Sequence, residues 1–331
     1  MPCWHARAFG TQAPMSEHRQ PSSPNAPEGD TRFGFVAVIG TPNAGKSTLV
    51  NRLVGTKVTI VSHKVQTTRM PIRGIAMVGN SQLVLVDTPG IFAPKRRLDR
   101  AMVEAAWGGA GEADLIVLVI DAAKGVDADV DRLLDRLAGA GGRTRKLLAL
   151  NKVDRLKDKD RLLALAAALS QKVGFEAVFM ICALNGDGVD DLVGHLARSV
   201  PAGPWHYAAD EPTDLPLRLL AAELTREKLL EHLHDELPYA AAVETTEWKE
   251  LKDGSVRIEQ TIYVERESQR KIVLGKGGAA IKQISTDSRR ELMEIIERPV
   301  HLFLFVKVRA HWGDDPQRYH ELGLDFPPDR D

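Results

Sequence analysis

Cysteine is scarce in this chain: Cys3 and Cys182 are the only two in 331 residues. One falls in a tail and the other in a core-like strand. No disulfide framework or zinc site can be built from such a pair, and the usage fits a reducing compartment. No apolar run approaches the ~18–20 residues of a membrane helix, so no helical span is expected. Charge of one sign is also missing. Lys and Arg number 44 against 45 Asp and Glu, a formal net charge of −1. No global basic field advertises a nucleic-acid partner, and any basic surface has to be local. Val, Ile and Leu are absent from the first 32 positions, where Pro14, Pro21, Pro24 and Pro27 interrupt a Ser/Gln/Asn-rich stretch. A disordered tail over 1–32 is the expectation. A transit peptide, or a true start at Met15, are the competing readings.

What is present divides in two. Arg32 to Ile39, Gln82 to Val86, Leu115 to Ile120, Lys146 to Leu150 and Ala177 to Ile181 are short apolar runs separated by helical patterns. Buried strands alternating with helices predict a doubly wound α/β domain over 33–200, with a mainly parallel sheet. A proline-rich stretch, 201–216, follows as a linker that Trp205 and Tyr207 pin to a surface. Beyond it the rhythm changes. Leu217 to Glu236 has helical spacing. Tyr239 to Glu250 and Val256 to Glu265 are β-rich runs joined through Lys252-Asp253-Gly254, a hairpin signal. Ser268 to Leu274 and Ala279 to Glu297 read as helices around a glycine loop, and His301 to Arg309 as a last strand. The order over 217–331 is α-β-β-α-α-β, an α+β domain.

Four motifs carry chemistry. Gly40-Thr41-Pro42-Asn43-Ala44-Gly45-Lys46-Ser47-Thr48 has P-loop spacing and lies between a strand and a helix. Its glycines let backbone N–H groups wrap phosphates at a helix N-terminus. Lys46 supplies a charge to the β- and γ-phosphates, and Ser47 a hydroxyl to Mg²⁺. Asp87-Thr88-Pro89-Gly90 closes the strand after it. Asp87 is placed to hold Mg²⁺, and Gly90 to bring a backbone N–H to the γ-phosphate. Asn151-Lys152-Val153-Asp154 follows another strand. Guanine offers two donors on one edge, and one carboxylate accepts both, so Asp154 reads as the guanine reader with Asn151 and Lys152 as braces. Cys182-Ala183 stands where the Ala183 N–H would donate to guanine O6. Cysteine there removes at most one loop-bracing bond and reads as a small buried residue. The ligands implied are GTP or GDP and Mg²⁺.

The position after Gly90 is Ile91, which can neither donate nor accept. Ras-like switches orient the attacking water with a glutamine there. Slow intrinsic turnover is expected, with Ile91 packed on the core. Thr68, with Thr67 as runner-up, is the expected ligand to Mg²⁺ in the GTP-bound state. Lys46, Thr68 and Gly90 are thus the catalytic candidates.

Gly275-Lys276-Gly277-Gly278 joins two helices in a stretch where bases outnumber acids: Arg270, Lys271, Lys282, Arg289 and Arg290 surround it. A Gly-x-x-Gly turn of this kind clamps single-stranded RNA. Ile272, Val273, Ile281 and Ile284 are the expected groove floor.

These motifs in this order resemble translation-factor-related GTPases. Val65-Gln66-Thr67-Thr68-Arg69, the segment Leu98 to Trp107, the segment Asp214 to Lys228, and Glu236-Leu237-Pro238-Tyr239 narrow the likeness to the Era family. The resemblance runs from about Phe33 to the C-terminus. It implies a P-loop GTPase domain followed by a type II KH domain. It also implies a monomeric cytoplasmic protein that binds the 3′ region of 16S ribosomal RNA in small-subunit maturation. Peripheral association with the inner membrane is implied as well. Related GTPases with Pro-Asn in the P-loop use K⁺. K⁺ beside Asn43, or an Asn43 that caps its own loop, are two open readings. The rival functions are a signalling or membrane-surface GTPase, which needs a basic amphipathic helix, and a tRNA-modifying GTPase, which needs a further domain.

Overall fold

The computed structural model describes residues 30–64, 66–94, 96–139, 144–158, 160–234, 237, 241–310, 312 and 315–328. The tail before residue 30, Val65, and three residues of the 236–239 motif lie outside that set.

The first half is a six-stranded sheet in the order β2-β3-β1-β4-β5-β6. Strands β1 (Arg32–Ile39), β3 (Ser81–Asp87), β4 (Leu115–Asp121), β5 (Arg145–Asn151) and β6 (Ala177–Ile181) run parallel, and β2 (Ile72–Val78) pairs antiparallel with β3 at the edge. Helices α1 (Lys46–Val54), α2 (Arg97–Glu112), α3 (Ala128–Gly139), α4 (Asp160–Lys172) and α5 (Val189–Ser199) cover its faces. Central strands are buried on both faces, which is why Leu115 to Ile120 is apolar without alternation. Two cores result. Leu49, Val117, Leu147 and Leu192 meet on one face, and Ile39, Leu118, Leu133 and Leu148 on the other.

Strand β2 is not among the runs read from the sequence. It turns into β3 through Gly79-Asn80, a two-residue hairpin pair.

The stretch 201–216 is tied down throughout. The Trp205 indole donates to the Asn80 carbonyl at 3.1 Å, and the buried Gln82 amide oxygen accepts from the His206 and Tyr207 N–H groups.

The second half is a three-stranded sheet, β7-β8-β9. Strands β7 (Ala242–Glu250) and β8 (Val256–Val264) form the hairpin, and β9 (Val300–Val308) adds parallel to β8. Helices α6 (Leu217–His232), α7 (Glu267–Leu274) and α8 (Ala279–Ile296) complete the α-β-β-α-α-β order. One further helix, α9 (Pro316–Glu321), was not expected. It turns back onto the first domain, where Tyr319 and Leu324 pack with Ala101 and Met102 of α2.

Candidate functional site

The P-loop bends round Lys46. Its ammonium group donates to the Gly40 and Thr41 carbonyls at 3.2 and 3.1 Å. Gly45 has a φ of +97°, and a Cβ there would lie 2.2 Å from the Asn151 amide nitrogen, so only glycine fits. Burial lowers the Lys46 pKa to about 8, against the raising effect of Asp87.

Asp87 ends β3, fully buried. Its Oδ2 accepts from Ser47 Oγ at 2.7 Å, Thr59 Oγ1 at 2.8 Å and Thr68 Oγ1 at 3.3 Å, while Ser47 and Thr68 lie 3.0 Å apart. The other oxygen, Oδ1, is buried with no hydrogen-bond partner among the described residues. Three convergent hard oxygens and an orphaned carboxylate oxygen fit a Mg²⁺ ion. Burial pushes the Asp87 carboxyl up, and Lys46 opposes this. Thr68, not Thr67, reaches this cluster; the Thr67 hydroxyl donates to the Lys64 carbonyl.

The base end is built as a brace. Asn151 donates to the Ala44 carbonyl at 2.8 Å and accepts from the Ala183 N–H at 2.9 Å, locking the P-loop to the loop after β6. Lys152 spans from the Asn43 carbonyl, 2.6 Å, to Asp121, 2.7 Å. Asp154 lies in a tight turn beside it and, with Gly45, Lys46, Ser47, Thr48, Cys182 and Ala183, lines a cleft of about 340 Å³. Burial, then the neighbouring Asp154 carboxylate, push the Cys182 thiol up, which keeps it protonated.

Some expected contacts turn away from the cleft. Ala44, Thr88 and Ile91 are buried, and the Thr88 hydroxyl donates to the Val38 carbonyl at 2.9 Å. Ile91 joins the core, as expected, and its N–H donates to the Gly40 carbonyl. Asn43 does not cap its own loop. Its amide donates to the His63 carbonyl at 2.8 Å, across to the segment that carries Thr68.

Three contributors escaped the sequence reading. Thr59 holds Asp87 and is set by Asn51 of α1, whose Oδ1 accepts from the Val58 and Thr59 N–H groups at 2.9 and 3.0 Å. Arg52 of α1 donates to the Ala183 and Leu184 carbonyls. Arg226 of α6 donates to the Thr67 carbonyl. Nothing in the local sequence marks these; each meets a partner distant in the chain.

The second site lies on the other half. Gly275 has a φ of +73°, and a Cβ there would come within 2.8 Å of the Ala280 nitrogen, so the turn into α8 requires glycine. Gly277 and Gly278 face open space. Lys271, Lys276, Lys282 and Arg289 are exposed. Arg270 is paired with Glu267 at 2.9 Å and Arg290 with Asp287 at 3.1 Å. The expected groove floor needs correction. Val273 and Ile284 are fully buried in the domain core and present nothing to a ligand. Ile281 is partly buried, and Ile272 is 57% exposed. An α7–turn–α8 corner buries one side of each helix against the sheet, and Val273 and Ile284 fall on that side.

Comparison with known proteins agrees with this geometry. The model of the "50S ribosome-binding GTPase" family matches residues 35–152, and that of the KH domain residues 236–313. The chain is 60% identical over 314 residues to GTPase Era of Agrobacterium fabrum, covering 95% of this chain and 98% of that one. It is 63% identical over 297 residues to GTPase Era of Sinorhizobium medicae, covering 90% and 95%. Among solved structures it resembles Era in complex with MgGDPNP and nucleotides 1506–1542 of 16S ribosomal RNA. That match has a TM-score of 0.84 and 36% identity, over 88% of this chain and 99% of that one. An Aquifex aeolicus Era variant bound to GDP·AlF4⁻ matches with the same score, identity and coverage. With the P-loop site in one half and the Gly-x-x-Gly turn in the other, the chain belongs to the Era family of GTPases.

Proposed function

We propose that this chain hydrolyses GTP to GDP and phosphate, binds the 3′ region of 16S ribosomal RNA through its KH domain, and acts in small-subunit maturation in the cytoplasm. One observation supports this most strongly. A complete GTP site and an exposed Gly-x-x-Gly turn stand in one chain whose likeness to an Era–MgGDPNP–RNA complex spans both halves. The function-testing experiment is crosslinking: the RNA recovered from residues 270–290 of the full-length chain should map to the 3′ end of 16S ribosomal RNA.

The residues divide the work. Asp154 reads the guanine edge, while the Ala183 N–H expected to reach guanine O6 is given to the Asn151 side-chain oxygen in this structure. Lys46 and the P-loop N–H groups hold the phosphates. Ser47, Thr68 and Asp87 would hold Mg²⁺, which supplies charge neutralisation to the β- and γ-phosphate oxygens. Gly90 brings an N–H to the γ-phosphate. Ile91 faces the core, so no side chain at that position orients the attacking water, and intrinsic turnover is slow. K⁺ held near Asn43 would stabilise charge developing between the phosphates.

The membrane-surface reading is weaker. Helix α6 is no free amphipathic helix, because Leu220 to Glu227 are all buried. Among the described residues no helix is long and apolar enough to cross a membrane.

A further inference from the structure

The segment that carries Thr68 rests on the RNA-binding half. Ile60, fully buried, is a member of that half's core with Leu220, Leu224 and Leu292. Glu227 of α6, 2% exposed, accepts from the Val61 N–H at 2.7 Å and pairs with Lys57. The preceding residue, Arg226, is also 2% exposed. One side of its guanidinium pairs with Glu223, and Nη2 also donates to the Thr67 carbonyl. Arg69 then donates to the Ala241 carbonyl at 2.8 Å. Thr68 lies between these two anchored neighbours, with its hydroxyl 3.0 Å from Ser47.

Two charged residues at full burial in a helix are a poor way to gain stability. Desolvation offsets most of what an ion pair returns, and apolar replacements often serve as well. Geometry is what a guanidinium adds. Its rigid planar fork directs two donors at one carboxylate and a third bond at a carbonyl at fixed angles, where a lysine ammonium offers only a compact point of rotatable donors.

We propose that Arg226 is a positioning residue of the nucleotide site, supplied by the RNA-binding half. By fixing the Thr67 carbonyl it holds the Thr68 hydroxyl at the metal-ligand position. The inference rests on Thr68 being that ligand in the GTP-bound state. It predicts that Arg226 matters for a γ-phosphate-bearing nucleotide with Mg²⁺ and not for GDP, whose binding does not need Thr68.

The test titrates fluorescent GDP and a fluorescent non-hydrolysable GTP analogue against the full-length chain. Wild type is compared with Thr68→Ala, with Arg226→Lys, and with the pair Arg226→Met and Glu223→Gln, which leaves no unpaired buried charge. Thr68→Ala should lose about tenfold in analogue affinity, the scale of one interaction with a charged group. The Arg226 pair should lose about as much, Arg226→Lys somewhat less, and both should need more Mg²⁺ for half-maximal analogue binding. GDP affinity should stay within about twofold of wild type in all three variants, which also reports that each chain is folded. If Thr68→Ala leaves the analogue-to-GDP ratio unchanged, the metal-ligand reading fails and takes the inference with it. If Thr68→Ala lowers the ratio and both Arg226 variants keep it, Arg226 does not position Thr68. An equal fall in GDP affinity makes Arg226 a structural residue only and overturns the inference.

Discussion

Asn43 on the P-loop and His63 on the Thr68-bearing segment are joined by a 2.8 Å hydrogen bond from side-chain amide to main-chain carbonyl. This bond links the two segments that would enclose the phosphates. If the same corner holds K⁺, turnover in K⁺ should exceed that in Na⁺ at fixed ionic strength, and Asn43→Ala should remove the difference. Equal rates in the two salts for the wild type would dismiss K⁺ from the mechanism.

Lys46 gives a pH dependence with a definite sign. Its folded-state pKa of about 8 lies below the usual lysine value, so between 8 and that value the folded chain has released a proton that the unfolded chain keeps. Stability of the nucleotide-free protein should therefore rise with pH across that window from this group. Nucleotide affinity should do the opposite, falling up to about tenfold per pH unit above 8, because the phosphates demand the charged form. Thermal unfolding with and without GDP at pH 7 and pH 9 checks both signs. A GDP-induced stabilisation that does not shrink at pH 9 would contradict it.

Asp154→Asn should exchange guanine for xanthine specificity. Xanthine carries a carbonyl at C2, which repels a carboxylate and accepts from an amide. The wild type should reject the xanthine nucleotide by roughly 2–4 kcal/mol, because a bound base would cover the exposed Asp154 carboxylate without offering it a donor. Competition binding with GDP and XDP decides it; a variant that keeps GDP and ignores XDP would remove Asp154 from the base site.

Much of the chemistry was legible in the sequence because it is local. The P-loop, Asp87 to Gly90 and Asn151 to Asp154 each occupy a few consecutive residues after a strand, where spacing alone fixes the geometry. Helix α1 and strands β1 and β6 also fell at their expected limits. What escaped is non-local. Arg226 and Glu227 carry no local signal, and only the packing of the Thr68 segment against α6 buries them. Thr59 reads as a loop residue until Asn51 turns it toward Asp87. Strand β2 is interrupted by Arg73 and Gly74, and its signal lay in the Gly79-Asn80 turn. The groove floor failed because an apolar residue beside a binding loop can face either way, and periodicity does not choose between core and ligand.

That ambiguity yields a contrast. Val273→Ala should destabilise the chain by roughly 2 kcal/mol, since a fully buried side chain is truncated. Ile272→Glu, at an exposed position, should leave stability nearly unchanged and weaken RNA binding. Denaturant unfolding and RNA titration of the two variants separate them. RNA binding unaffected by Ile272→Glu would take that residue out of the groove.

RNA titration of the variant Lys276→Asp with Gly277→Asp tests the central claim most directly. Gly277 has a φ of +60°, a conformation aspartate tolerates better than most residues, and the site is open, so folding should survive. Two carboxylates would face the phosphates where the native turn offers one ammonium and bare backbone. Fluorescence anisotropy with a single-stranded fragment of the 16S 3′ end, at two salt concentrations, reads the outcome. Wild-type affinity should fall as salt rises, the double variant should not bind, and its GDP affinity should match the wild type. A folded double variant that binds the RNA as well as the wild type would place the RNA site elsewhere and contradict the account.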